Sequence, residues 1–117
     1  MRQLLFVSTL IFVCFAASLT IAGDFRSLTG RYALTTAGLV DPMPNEKPDR
    51  VVFFLEGKSA EEMYKGMSQV PTKDVCARDA LSKRAGNLVC SRLDSGSFFC
   101  TFGIGLLNGH LLNGRAC

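Results

Sequence analysis

The sequence contains a single histidine, His110, and this scarcity excludes several kinds of chemistry. A zinc site of the usual type needs several His or Cys ligands, and a Ser-His-Asp triad would have to use this one residue. The chain also lacks a G-x-S-x-G nucleophile elbow. Because His110 directly follows the turn sequence Asn108-Gly109, we expect it to be an exposed turn residue. No catalytic residue, metal site or cofactor is therefore predicted.

Further absences narrow the function. No Cys-x-x-Cys pair is present, which argues against redox catalysis, and Gly103-Ile104-Gly105 lacks the third glycine of a dinucleotide-binding loop. The net charge of +3 is too small to indicate nucleic-acid binding. No Asn-x-Ser/Thr glycosylation acceptor occurs in the chain.

The N-terminus has the composition of a secretion signal. Arg2 is followed by a nearly continuous apolar run over Leu4–Ala17 and then by small residues up to Gly23. This order predicts a signal peptide over residues 1–23 that is cleaved after export. The apolar run is shorter than the ~20 residues that span a bilayer, so we expect no stable membrane insertion after leader removal. The predicted location is secreted or periplasmic.

The remaining residues, 24–117, are enough for one domain, and they contain four cysteines: Cys76, Cys90, Cys100 and Cys117. An even number of cysteines in a small exported domain predicts two disulfides. Each typically adds about 2 to 4 kcal/mol, which is a large share of the roughly 5 to 15 kcal/mol that stabilises a small domain.

The first half of this domain predicts two strands separated by a loop. A short strand is expected over residues 31–36. Residues 38–50 carry three prolines and are predicted to form a Pro-rich loop. The run Val51–Glu56 (VVFFLE) is β-branched and aromatic, which predicts a central strand.

A helix is predicted over residues 60–68. Ser59 and Glu62 have the spacing of a capping box, and Glu61 and Lys65 stand four apart in the favourable order. The apolar stripe expected to face the core consists of Ala60, Met63, Tyr64 and Met67. The path of residues 69–86 is not predicted.

The C-terminal third contains the strongest hairpin signal. Asn108-Gly109, flanked by leucines, predicts a two-residue type I′ turn, in which both central residues have positive φ. Such a turn pairs Leu107 with His110, and counting outward brings Cys100 opposite Cys117. Their Cα atoms would then be close enough for a disulfide.

A second turn brings another cysteine to the same row. Asp94-Ser95-Gly96 predicts a three-residue turn that places Cys90 opposite Cys100. In a three-stranded meander the outer strands are nearly 10 Å apart, so a bond between Cys90 and Cys117 is excluded. The preferred pairs are Cys100 with Cys117 and Cys76 with Cys90. Cys90 with Cys100 and Cys76 with Cys117 is the alternative.

The same register sorts the side chains into two faces. The predicted apolar face consists of Leu88, Cys90, Phe98, Cys100, Phe102, Ile104, Leu106, Leu111 and Cys117. On the opposite face Gly103 and Gly114 are predicted to oppose each other and to leave a shallow patch, covered by a helix or open to a partner peptide or carbohydrate. Phe99 is expected to be the more exposed of Phe98-Phe99. Phe99, Gly103 and Gly114 are the candidate binding residues.

Together these features predict a small α+β domain: one short helix packed on a mainly antiparallel sheet that ends in a three-stranded meander, with two disulfides. No motif identifies a family. The favoured function is an exported binding or inhibitory module that acts on a protein partner or an envelope surface, without catalysis. One alternative is a hydrolase or transferase accessory that uses His110 or Lys83-Arg84 beside a buried carboxylate. Another is a structural envelope component that oligomerises through an edge strand such as residues 31–36.

Overall fold

Antiparallel strands dominate the computed structural model, which describes residues 23–115. Within that range there are seven strands and one helix, whose bounds are β1 Gly30–Thr35, β2 Arg50–Glu56, α1 Gly57–Gly66, β3 Thr72–Lys73, β4 Ala80–Ala85, β5 Leu88–Leu93, β6 Phe98–Gly105 and β7 Leu111–Leu112. All strand pairs are antiparallel and belong to one sheet. The predicted class, a small α+β domain with one helix on a mainly antiparallel sheet, is confirmed.

The strand order is β1-β2-β6-β5-β4-β3, with β7 also paired to β6. The chain leaves β2 in the middle of the sheet, and α1 carries it across one face to β3 at the far edge. The VVFFLE segment is therefore a central strand, as predicted, with β1 on one side and β6 on the other. The Pro-rich loop connects β1 to β2.

The helix begins earlier than predicted, at Gly57 rather than at residue 60. Ser59 is not its N-cap, because its hydroxyl lies within the first turn and donates to the carbonyl of Glu56 at 2.9 Å. The predicted stripe is confirmed: Ala60 and Tyr64 are buried, and Met63 and Met67 pack against the core. The predicted ion pair is also present, with Lys65 Nζ 2.7 Å from Glu61 Oε1.

The core lies between this helix and the sheet. Its fully buried members are Leu55, Ala60, Tyr64, Cys90 and Cys100. Because side chains alternate along strands, Leu55 and Cys100 point to the helix face of directly paired strands.

The disulfide in this core overturns the preferred cysteine pairing. Cys90 is bonded to Cys100, its direct neighbour across β5 and β6, so the predicted pairs Cys76–Cys90 and Cys100–Cys117 are wrong. The three-residue turn at 94–96 sets this register as predicted, with Leu93 N–H donating to Ser97 O at 2.9 Å. Cys76 is disulfide-bonded as well. Its pairing with Cys117, which lies outside the described residues, stays a prediction.

The wrong pairing follows from the Asn-Gly turn, which is four residues long instead of two. Gly105 pairs with His110, and Gly109 N–H donates to Gly105 O at 2.8 Å. Gly109 has positive φ but Asn108 does not, so the turn is not type I′. Asn108 instead uses its side-chain oxygen to accept the N–H of His110 at 2.9 Å. The register is therefore shifted by two residues, and position 115 rather than 117 would stand opposite Cys100.

The predicted three-stranded meander is not confirmed. β2 occupies one edge of β6, so β5 and β7 must share the other edge, one beyond the other. Asn87 joins them by donating its side-chain N–H to the carbonyl of Leu111 at 3.0 Å. The prediction failed because it paired β6 on one edge with the strand before it and on the other edge with the strand after it. In the structure β2, which is distant in sequence, takes one of these edges.

The predicted signal peptide falls almost wholly outside the described residues and stays a prediction. No helix within residues 23–115 is long and apolar enough to cross a membrane. The Cys90–Cys100 disulfide is consistent with an oxidising compartment.

Candidate interaction surface

Phe99 is buried, which corrects the expectation that it would be the more exposed phenylalanine. Its side chain is 9% exposed, and Phe98 is half-buried. The ring of Phe99 stacks on Phe54 of β2 with centroids 5.4 Å apart, and the guanidinium of Arg115 covers it at 5.2 Å. The C-terminal segment thus takes the position that a partner was expected to take.

The predicted glycine patch is filled by the same segment. Gly103 pairs with Leu112 rather than with Gly114. A methyl group on Gly114 would lie 2.6 Å from the backbone N and C of Phe102, and one on Gly103 would lie 3.2 Å from the carbonyl of Asn113. These glycines let the C-terminal segment cross β6 at backbone contact distance. Their role in binding stays a prediction.

A buried carboxylate anchors the end of this segment. Asp74, whose side chain is 2% exposed, accepts two hydrogen bonds from the guanidinium of Arg115, at 2.8 and 3.0 Å. Ser82 and Ser91, paired neighbours on β4 and β5, also donate to Asp74. The result is a polar cluster on the sheet face opposite the helix.

This cluster keeps Asp74 ionised. Burial by itself raises the pKa of Asp74, but the hydrogen bonds from Arg115, Ser82 and the backbone N–H groups of Cys76 and Ala77 outweigh burial and hold the pKa far below its ordinary value. A carboxylate with a lowered pKa is a poor proton acceptor. The cluster therefore holds the C-terminal segment in place, through Arg115, and does not serve as a general base; we call the pair of Asp74 and Arg115 the latch.

The residues proposed for catalysis lie elsewhere and serve other purposes. His110 is exposed in the β6–β7 turn. Lys83 lies under the helix, where Nζ donates to the carbonyls of Tyr64 and Met67 at 3.0 Å each and stands 4.4 Å from the Tyr64 ring centroid. Lys83 thus satisfies carbonyls at the helix C-terminus.

An accessible apolar area lies on the helix face, beyond the part that α1 covers. Successive strands β1, β2, β6 and β7 place apolar side chains there in register. We call this area the apolar strip; it consists of Tyr32, Leu34, Val51, Phe53, Phe102, Ile104 and Leu111. Tyr32 is 70% exposed, Leu34 46% and Leu111 47%, and the other members are half-buried.

The strip ends at an open sheet edge. β1 is the outermost strand on that side; it pairs without a bulge along its length and contains no proline. The opposite edge is different, because β3 has only two residues, follows Pro71 and carries Lys73. Short length, proline and lysine are devices that block edge pairing, and β1 has none of them.

A separate cleft of about 520 Å³ opens where β2 enters the helix. Phe54 and Phe99 form one wall, and Lys58 and Glu61 of the helix lie at the rim. Phe99 lines this cleft, and its role as a contact residue stays a prediction.

Sequence reasoning named β1 as a candidate edge but did not identify the strip. Tyr32 and Leu34 alternate with Arg31 and Ala33, which is an amphipathic strand signal. The signal shows that one face is apolar, but it does not show that a ten-residue helix leaves that part uncovered. Nothing local points to the pair of Asp74 with Arg115, since 41 positions separate them.

A scan against protein-family models found no match, and searches of the curated proteins and of the solved structures found no similar protein.

Proposed function

We propose that this chain is an exported binding module that contacts a protein partner through the apolar strip and performs no catalysis. The observation that carries this proposal is the exposure of Tyr32, Leu34 and Leu111 on one continuous sheet face. Contiguous apolar area on a small protein is typical of an interaction site.

The strip is separate from the residues that stabilise the fold. The buried core lies beneath α1 around the Cys90–Cys100 disulfide, while the strip lies along the same strands beyond the helix. Leu34 and Leu111 are therefore available to a partner at no cost to the core. A scaffold locked by a disulfide also loses little conformational entropy on binding, which favours affinity.

The enzymatic alternative gains no support from the residues on which it depends. It requires His110 or Lys83-Arg84 to be buried beside a carboxylate. His110 and Arg84 are exposed, and the ammonium of Lys83 is directed to helix carbonyls.

The test is capture of partners from the native compartment with the oxidised protein and two single variants. Leu111→Asp places a charge at the β7 end of the strip. Val70→Asp is the matched control, because Val70 is 82% exposed and lies between α1 and β3, away from the strip. We expect Leu111→Asp to abolish capture and Val70→Asp to leave it unchanged, with both variants folded by circular dichroism. Equal capture by all three proteins would refute the assignment of the strip.

A further inference from the structure

The backbone of β1 presents a defined set of hydrogen-bonding groups to which no residue in the range 23–115 bonds. Glu56 N–H donates to Thr29 O at 3.0 Å, and Asp49 N–H donates to Thr35 O at 3.1 Å, so odd-numbered residues of this segment face β2. Alternation along an antiparallel strand then turns the N–H and C=O groups of Gly30, Tyr32 and Leu34 outward. At the next outward position, Thr36 already uses both groups in the following turn, with Val40 O and Leu39 N–H.

We infer that two copies of this chain pair through β1, antiparallel about a two-fold axis, with Tyr32 opposite the partner's Tyr32. This inference deepens the proposed function, on which it rests, by naming a second copy of this chain as the occupant of the β1 edge at which the strip ends. In this register Gly30 stands opposite the partner's Leu34, and all three outward residues of each copy form pairs. Six interchain backbone hydrogen bonds result.

Neighbouring registers are worse for identifiable reasons. Moving the centre of symmetry to position 31 places Arg31 directly opposite the partner's Arg31, and like charges in that position are destabilising. Moving it to position 33 places Gly30 opposite the partner's Thr36, whose backbone groups are already bonded. That register retains four of the six bonds. The Tyr32-centred register avoids both defects.

The side chains fit the same register. Leu34, on the helix face, lies beside a residue without a side chain, and the two Tyr32 rings meet across the axis. On the opposite face Arg31 stands opposite the partner's Ala33, a large residue against a small one. Arg31 also lies 4.7 Å over the Phe54 ring of its own chain on this face. Side-chain sizes are thus complementary between two identical strands, and no like charges stand opposite each other.

Two substitutions at one position test the register. Each dimer contains two cross-strand pairs of Ala33 with the partner's Arg31. The substitution Ala33→Glu therefore adds two opposite-charge pairs, and Ala33→Arg adds two like-charge pairs. We expect the dimer dissociation constant to fall about 2-fold to 30-fold for Ala33→Glu and to rise by a similar factor for Ala33→Arg. Sedimentation equilibrium of the oxidised protein over a range of concentrations measures both.

A third variant tests the edge itself. Tyr32→Pro removes an outward N–H while leaving the bonds between β1 and β2 in place, since proline is tolerated at a strand edge. We expect this variant to be folded by circular dichroism and monomeric. A wild-type protein that is monomeric at every concentration, or a shift in the same direction for both Ala33 variants, would overturn the inference.

The outcome is separable from that of the proposed function. If the wild type is monomeric while Leu111→Asp still abolishes partner capture, self-association is wrong and the binding strip stands. If the dimer forms with the expected Ala33 effects while Leu111→Asp captures partners normally, self-association stands and the strip is not the site for other proteins.

Discussion

The guanidinium of Arg115 contacts both carboxylate oxygens of Asp74, at 2.8 and 3.0 Å, and joins the end of the described chain to the connection between β3 and β4. Arg115 also covers the Phe99 ring. One side chain thus holds the C-terminal segment against both a buried charge and an aromatic ring. This contact closes the sheet face opposite the helix.

Asp74→Ala should be strongly destabilising. The substitution removes the acceptor of Arg115, Ser82 and two backbone N–H groups, and it leaves the partly buried guanidinium without its ion-pair partner. Breaking a buried pair typically costs about 3 to 5 kcal/mol in the free energy of unfolding. Urea denaturation measures this loss, and Asp94→Ala, at an exposed turn residue, is the control. A loss of unfolding free energy smaller than that of the control would contradict the role of Asp74 in holding the C-terminal segment.

The same residue should govern stability in acid. The folded state holds the pKa of Asp74 far below the ordinary value, so the unfolded chain takes up a proton first as the pH falls. The stabilisation is therefore complete above about pH 4 and is lost progressively below it. Melting temperatures between pH 2 and pH 7 should fall less steeply for Asp74→Asn than for the wild type. Parallel curves would show that other groups control acid unfolding.

Lys83→Met should lower stability through the helix. Its ammonium donates to two carbonyls at the end of α1, and charged hydrogen bonds together with the helix dipole indicate a loss of about 1 to 2 kcal/mol. Arg84→Met is a close control, because Arg84 is the next residue, is exposed and points to the other face. Chemical denaturation should separate the two variants; equal effects would mean that Lys83 is not a helix cap.

Gly114→Ala should disrupt the crossing of β6. The added methyl would approach the Phe102 backbone to 2.6 Å, so the C-terminal segment has to shift and the bond between Arg115 and Asp74 is strained. We expect a loss of about 1 to 3 kcal/mol. Gly66→Ala, where nothing lies within 4 Å, should be neutral or slightly stabilising. Thermal melts that rank the two variants in the opposite order would contradict this account.

Removing the Cys90–Cys100 bond should cost about 2 to 3 kcal/mol, as expected for a loop of roughly ten residues. The double variant Cys90→Ala/Cys100→Ala tests this by urea denaturation. Both cysteines are fully buried, so the wild-type bond should react with reductant only when the domain opens. Reduction as fast as that of an unfolded control would contradict the burial of the bond.

Local patterns predicted the parts of the fold that local forces determine. The VVFFLE strand, the inward stripe of α1 and the turn after Leu93 all follow from residues within a few positions of one another. The prediction of a two-residue turn at Asn108-Gly109 failed for two reasons. Asn108 bonds the backbone through its side chain, and β2 holds Leu106 in the sheet through the carbonyl of Asp49 at 2.8 Å. Only the second of these contacts is distant in sequence.

The sequence did not predict the strands β3 and β4, and the reason is similar. Ser82 and Lys83 are polar residues of the type usually found at the surface, yet Ser82 is buried against Asp74 and Lys83 lies under the helix. A polar side chain with a distant partner carries no local sign of burial. The location of the candidate surface depends in turn on how far the helix extends over the sheet, which is a property of the assembled fold.

The contrast between the two sheet edges limits the size of any assembly. A two-fold pair made through β1 uses up the open strand of both copies. The outer strands that remain in the described part of the chain are β3 and β7, each two residues long, and β3 also has Pro71 before it and Lys73 at its end. Growth into filaments needs a second long open edge, and residues 23–115 do not supply one. The short outer strands thus protect a strand-rich protein against fibre formation.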